Sequence, residues 1–229
     1  MKHLVVNADD FGACEGVNQG VIESHRRGIV TSASLLVNWP GAEEAARLAR
    51  ENGPLSVGLH ACFVDHRHER LAELSDPVAC RRLLDEQLRR FRELLGRDPT
   101  HLDSHHHVHV QQPLLAEFQE LARALRIPLR DRSGIRYCSQ FYGQWAGESH
   151  PEQVSVGALI SILENDLGEG VTELACHPGR SDPTLASSYS EERELELQTL
   201  CDRRLRHMLD RRGIRLIGFA EAPVLVAAA

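Results

Sequence analysis

The chain has no apolar run long enough to span a bilayer, no internal repeat and no low-complexity linker. Its opening, MKHLVVNADDFG, carries one lysine and a short apolar run that leads straight into acidic residues. It lacks the long apolar segment and small-residue cleavage site of a secretory signal, so a cytoplasmic location is expected. Pairing signals for cysteine are missing too. The six cysteines, at 14, 62, 80, 138, 176 and 201, form no C-x-x-C and no tight cluster. That excludes zinc-ribbon and redox-pair chemistry and suits a reducing compartment. Nor is there a basic excess: 26 Lys and Arg stand against 33 Asp and Glu, for a net charge of −7. A nucleic-acid or anionic-membrane partner is therefore not expected.

What is present is an ordinary globular composition, 42% hydrophobic and 26% charged, in 229 residues. That length supports one substantial core, so residues 1–229 are read as a single domain. Short apolar runs alternate with amphipathic stretches. Strands are expected at 3–8, 30–37, 55–60, 100–104, 128–132 (PLRDR), 171–176 and 214–219. Helices are expected at 14–27, 41–53, 76–96, 113–127, 155–167 and, as one or two, 190–213. Within 76–96, Val78, Leu83, Leu84, Leu88, Phe91 and Leu95 recur at helical spacing. Such alternation implies an α/β fold of parallel strands joined by crossover helices. Seven strands fit either a doubly wound sheet or a (β/α) barrel, and spacing alone does not choose.

In both folds chemistry gathers at the C-terminal ends of the strands. Those ends here carry Asn7, Asp9 and Asp10, then Asn38, then His60, then Asp103, Ser104 and the run HHHVH, then Asp131 and Arg132, and last His177. Carboxylates and imidazoles converging from distant positions suit a divalent metal with acid and base partners. Each piece has a plainer explanation by itself. Asp-Asp before Phe-Gly resembles a helix cap, His60 suits a satisfied half-buried histidine, and His177 before Pro-Gly suits a turn. Several strand ends bearing metal-type residues together are not explained that way. In an extended HHH run, His105 and His107 face the site and His106 faces away. His66 and His68 fall in a polar loop at the rim, and Trp39 and Trp145 suit either sugar stacking or packing.

The motifs NADDFG (7–12), GLH (58–60), HLDSHHHVH (101–109) and ELACHPG (173–179) occur in that order across nearly the whole chain. They resemble the signatures of the YdjC/ChbG-type carbohydrate deacetylases. The resemblance implies a single catalytic domain with a distorted (β/α) barrel of parallel strands, like the polysaccharide deacetylases. It implies one divalent metal ion, magnesium or zinc, and removal of N-acetyl groups from amino sugars. Residue by residue, it makes Asp10, His60 and His105 the metal ligands, Asp9 the general base and His177 the general acid. The segments DRSGIRYCSQFYGQW (131–145) and SYSEERELEL (188–197) resemble the hopanoid-associated HpnK subgroup. That implies a glycolipid substrate such as an N-acetylglucosaminyl hopanoid, with Arg132 and Tyr142 facing it. A homodimer is the assembly offered by analogy. The segment after His60 is shorter than in many members.

Physically, amide hydrolysis needs a nucleophile, a stabilised oxyanion and a proton for the leaving amine. A divalent metal serves the first two, and neighbouring carboxylate and imidazole groups move protons. Asp9 and Asp10 are adjacent, so both can face one site only where the strand opens into a loop, a turn that Gly12 eases. Asp103 and Asp131 are candidates to orient ligand histidines, Asp103 first, and His107 to line the site. Rival readings are a metal-dependent phosphoesterase on a similar barrel, a non-haem iron enzyme and a non-catalytic sugar-binding module.

Overall fold

A computed structural model describes residues 1–222. Its main sheet is parallel throughout. Strands β1 (Lys2–Phe11), β2 (Ser32–Leu35), β3 (Ser56–Ala61) and β4 (Leu102–Ser104) run outward from one side of the centre. Strand β5 (Arg136–Cys138) is followed by a two-stranded hairpin, β6 (Gln144–Trp145) and β7 (Glu148–Ser149). Strand β8 (Gly170–Cys176) then sits between β1 and β5, and β9 (Ile214–Leu216) adds a seventh parallel strand, giving the order β4-β3-β2-β1-β8-β5 with β9 on β1. The crossovers carry helices α1 (Glu15–Arg27), α2 (Ala42–Glu51), α3 (Pro77–Leu95), α4 (Leu114–Leu125), α5 (Val156–Asp166), α6 (Glu191–Leu200) and α7 (Arg203–Arg211). Local chemistry sets their limits. Asp76 caps α3 by accepting from the Val78 and Ala79 N–H groups, with Pro77 in the first turn and Gly96 left-handed at the end. Asp202 caps α7 the same way, which divides the long 190–213 stretch into two helices.

Central strand β1 is shared by halves. Lys2–Leu4 pair with Ile214–Leu216 of β9, whereas Asn7–Phe11 pair with Ser32–Leu35 of β2 on the same edge. The sheet also curls. Asp103 on β4 and Glu173 on β8 lie four strands apart in the order, yet both reach the Arg130 guanidinium, at 2.9 and 2.7 Å. In a flat sheet strands about 4.8 Å apart would keep them far separated. Only a barrel-like wall brings them together, as expected of a distorted (β/α) barrel. The expected strand PLRDR is corrected. It makes a single parallel bridge, Leu129 to Leu102, and the strand that pairs with β8 lies later, at Arg136–Cys138. Arg130 in that segment spans the seam with its side chain instead of a ladder.

Alternation along the strands sorts outside from inside. Leu4, Val6 and Ala8, with Ala33, Leu35, Val57, Leu59, Leu102, Leu174 and Cys176, face the helices in the large core. The opposite face of β1 and β8 starts with Val5 and Val171, which pack with Ile135, Ile217, Phe219 and Ala222 into a separate apolar floor. One step up stand Asn7 and Glu173, with Ser34 and His101. The absent side chain of Gly58 makes room there, because a Cβ would lie 2.5 Å from the His101 ring. His101 stacks on Phe219 at 3.9 Å and contacts the Ser34 hydroxyl at 2.9 Å. Above this layer come the charged groups.

Candidate metal centre and active-site cavity

Two neighbouring carboxylates enter the same cavity because β1 bulges. Ala8 faces Ala33 and Phe11 faces Leu35, so three steps on β1 match two on β2. Asp10 absorbs the difference with a left-handed φ of 63°, followed by Gly12 at 96°. The pair therefore lies inside the strand at a bulge, not in a loop beyond it. Asp9 and Asp10 are both buried.

Among the described residues, Asp10, His60 and His105 form one group close enough to hold a metal ion. Asp10 Oδ1 is 3.5 Å from His60 Nε2 and 3.1 Å from His105 Nδ1. Although buried, it accepts no hydrogen bond. An orphaned carboxylate oxygen facing two imidazole nitrogens fits a divalent cation. Its other oxygen accepts from Arg193 at 2.6 Å. Burial works against the Asp10 charge, but Arg193 and His105 hold its carboxyl well below the usual range. His60 is aimed by Asp103, its register neighbour on β4, through a 2.7 Å bond to Nδ1. Asp103 thus serves the histidine on the adjacent strand and not the one two residues on. Burial opposes charging His60, yet Asp103 and Asp10 push it up to about 10.

Asp9 is gripped on both oxygens by Arg130, at 2.7 Å each, and accepts from Asn7 at 2.8 Å. Burial raises its pKa, but Arg130 brings it below the ordinary value. Arg130 also donates to Glu173 at 2.7 Å, and burial pushes that acid up to about 7. Asn7 continues through the Ser34 hydroxyl, which donates to Asp103 at 2.6 Å. His177 follows β8 and places Nε2 3.9 Å from Asp9 Oδ2. Burial and Arg193 lower it to about 4 against the pull of Asp9 and Asp10, and its Nδ1 is buried without a partner. Its backbone N–H donates to Glu196, which also accepts from the Tyr189 hydroxyl. Burial pushes Glu196 up to about 8.

The histidine run differs from the extended form expected. Residues His105–Val110 form a 3₁₀ turn in which His106 and His107 take left-handed φ of 55° and 56°. His105, His106 and His107 consequently all line the cavity. His109 turns inward as a latch, bonding Ser104 Oγ at 2.7 Å and the Arg130 carbonyl at 3.2 Å. Tyr142 lines the cavity and stacks on Tyr189 at 4.6 Å. Asp131 and Arg132 do not. They pair with each other at 2.7 Å on the outer surface, and Arg130 takes the inward position. Trp39 is buried edge-on to His105, whereas Trp145 is 48% exposed and stacks on His150. The cavity is about 590 Å³, roughly the size of a small sugar site.

Comparison with known proteins places the chain in a family and a fold. A family model described as YdjC-like protein matches residues 3–211. The chain is 35% identical to the carbohydrate deacetylase of Geobacillus stearothermophilus, over 96% of this chain and 98% of that one. It is 33% identical to the chitooligosaccharide deacetylase of Klebsiella pneumoniae strain 342, over 93% and 96% of the two chains. A crystal structure of an Enterococcus faecalis protein, a candidate for cellobiose-phosphate cleavage, superposes with TM-score 0.79 at 28% identity, covering 95% of this chain and 97% of that one. The family 4 carbohydrate esterase of Streptomyces lividans, solved with acetate, shares the fold with TM-score 0.59 at 11% identity, covering 94% and 91%.

Proposed function

The chain belongs to the YdjC-like family, and on that premise we propose that it is a metal-dependent carbohydrate N-deacetylase that removes the acetyl group from an N-acetylated amino sugar and releases acetate. The observation that carries the reading is the orphaned Asp10 Oδ1 facing His60 and His105 beside a second carboxylate already held by arginine. The activity named for the Geobacillus and Klebsiella relatives supports it.

Asp10, His60 and His105 would hold one divalent cation, magnesium or zinc, which supplies a lowered water pKa and polarises the acetyl carbonyl. Cation and proton are alternative partners for His60 Nε2, because Asp103 already occupies Nδ1. Asp9 takes the proton of the attacking water at Oδ2. Arg130 fixes that oxygen's direction and stabilises its charge. His177 is neutral at rest, so its Nε2 can receive a proton from the Asp9 side and pass it to the leaving amine. Tyr142 and Tyr189 form a flat wall beside His177, suited to the face of a pyranose ring.

The finer reading of the substrate is a glycolipid such as an N-acetylglucosaminyl hopanoid, supported by the 131–145 and 188–197 segments. Tyr142, Gln144, Ser188 and Tyr189 from those segments line one wall. Arg132 carries no part of this proposal, since it faces outward. An acetate-release assay on N-acetylglucosamine oligomers and on the glycolipid, run with a panel of divalent metals, tests both levels. Metal-dependent acetate release is expected. Phosphate-ester cleavage without acetate release supports the phosphoesterase instead, and sugar binding without turnover supports the binding module.

A further inference from the structure

We propose that His68, His106 and Nε2 of His105 form a second cation site at the mouth of the cavity. It takes a nitrogen-preferring divalent cation such as zinc, nickel or copper, and not magnesium. The inference rests on Asp10, His60 and His105 being the inner site, because His105 belongs to both.

The three imidazoles are a separate group whose ligand atoms lie within 4.8 Å of one another. His105 turns Nδ1 toward Asp10, and its Nε2 is buried with no hydrogen-bond partner. His68 places Nε2 2.8 Å from the Ala186 carbonyl. A carbonyl only accepts, so Nε2 carries the proton and Nδ1 keeps a free lone pair. Imidazole ligands are commonly prepared in this way, with the other ring nitrogen donating to a carbonyl or carboxylate. His60 shows the same device, with Asp103 in place of the carbonyl. The His106 ring lies 3.9 Å from that of His105, tilted by 31°, and stacks 6.4 Å from that of His68. His68 and His106 both keep a left-handed φ, 62° and 55°, that non-glycine residues avoid. Two unfavourable backbone positions thus meet over one orphaned nitrogen.

The donor set selects the ion. Three imidazoles and no carboxylate favour zinc, nickel or copper, whereas magnesium demands oxygen. Were both sites filled, His105 would offer one ring nitrogen to each cation, its Nε2 proton passing to solvent water, and the two cations would repel. The outer site is therefore the weaker one. A cation there ties the loop after β3 to the 105–110 turn across the cavity mouth, so excess zinc obstructs substrate entry.

Equilibrium dialysis of the full chain with elemental analysis tests this. One magnesium per chain is expected, but two zinc ions, the second bound at least tenfold more weakly. The His68→Gln/His106→Gln chain keeps bulk and the donor to Ala186, and is expected to bind a single cation, either zinc or magnesium. Asp10→Ala is expected to lose magnesium and keep one zinc. A single zinc in the wild type, or two in the double glutamine chain, overturns the outer site. Should a variant misfold, Trp39 offers a second readout, since its ring lies 6.0 Å from His68 and 5.6 Å from His105. In a Trp145→Phe chain, nickel is expected to quench Trp39 in two saturable phases, and a single phase overturns the proposal. Failure of the inner site is a distinct result: magnesium bound equally by wild type and Asp10→Ala.

Discussion

The floor of the barrel and its rim are built by the same strands and behave as opposites. On β1 the inward residues run Val5, Asn7, Asp9. On β8 they run Val171, Glu173, Ala175, with His177 beyond. On β1 two residues upward change an apolar plug into a polar relay and two more reach a carboxylate, whereas on β8 the first step already reaches Glu173. The floor is stabilised by removal of apolar surface, which asks nothing of protonation or of a ligand. The rim is a set of buried charges that hold only while each has its partner. Stability and chemistry are thereby assigned to different heights of one wall.

The sharpest way to separate them is at the rim. Asp10→Ala is expected to abolish magnesium binding and acetate release together, measured by dialysis and the acetate assay. Asp9→Asn is expected to keep magnesium and lose turnover by about 10²–10⁴-fold, the range of a general base. Near-wild-type turnover would remove Asp9 from that role.

Stability breaks the comparison differently. Phe219→Ala in the floor is expected to cost about 3–5 kcal/mol in urea unfolding, with magnesium affinity retained in the folded fraction. Arg130→Met is expected to cost a similar amount, about 3–5 kcal/mol, by leaving Asp9 and Asp103 buried without their cation. Unlike the floor variant, it is also expected to lower turnover. Equal retention of turnover in both would erase the distinction between floor and rim.

Protonation affects the layers above the apolar floor. Glu173 is raised from 4.5 to about 7 by burial. The folded chain therefore holds this proton more tightly than the unfolded chain. Its contribution is fully present below about pH 4.5 and is lost as pH rises through about 7. Stability of the wild type is expected to fall more steeply over that window than that of Glu173→Gln, read from urea midpoints at several pH values. The smallest effect lies outside both regions. Asp202→Ala removes the α7 cap and is expected to cost about 1 kcal/mol with unchanged turnover.

Much of this was legible in the residues. Asp9, Asp10, His60, His105 and His177 stand where strands end, and strand ends in a parallel α/β fold meet at one place. The helix DRRLRHMLDRR shows only Leu205, Met208 and Leu209 buried, as a charged outer face requires. Arg130 was missed because PLRDR reads as a ladder segment, and its neighbours Asp131 and Arg132 have the same polar character. Three carboxylates converging from strands β1, β4 and β8 demand a cation, but only the curl of the sheet reveals that they converge. Arg193 and Glu196 were missed for a related reason. The sequence EERELELQTL has no clear apolar stripe. In a helix packed on a barrel, that absence is itself a signal that charges face inward. The conformation of the histidine run is not legible from period-two alternation, which assumes an extended chain, whereas this one tightens at His105.

The sharing of β1 by halves has a consequence for how the chain assembles. Its upper half finds β2 within the first helical crossover. Its lower half must wait for Gly170–Thr172 and Ile214–Leu216. An early strand of this fold is thus completed by segments made much later, and the floor residues Ile217 and Phe219 arrive with them. Contacts so distant in sequence make for slow closure. A nascent chain halted before residue 214 carries the rim motifs over half a floor, with Val5, Ile135 and Val171 made but Ile217, Phe219 and Ala222 still to come, and leaves that apolar surface uncovered.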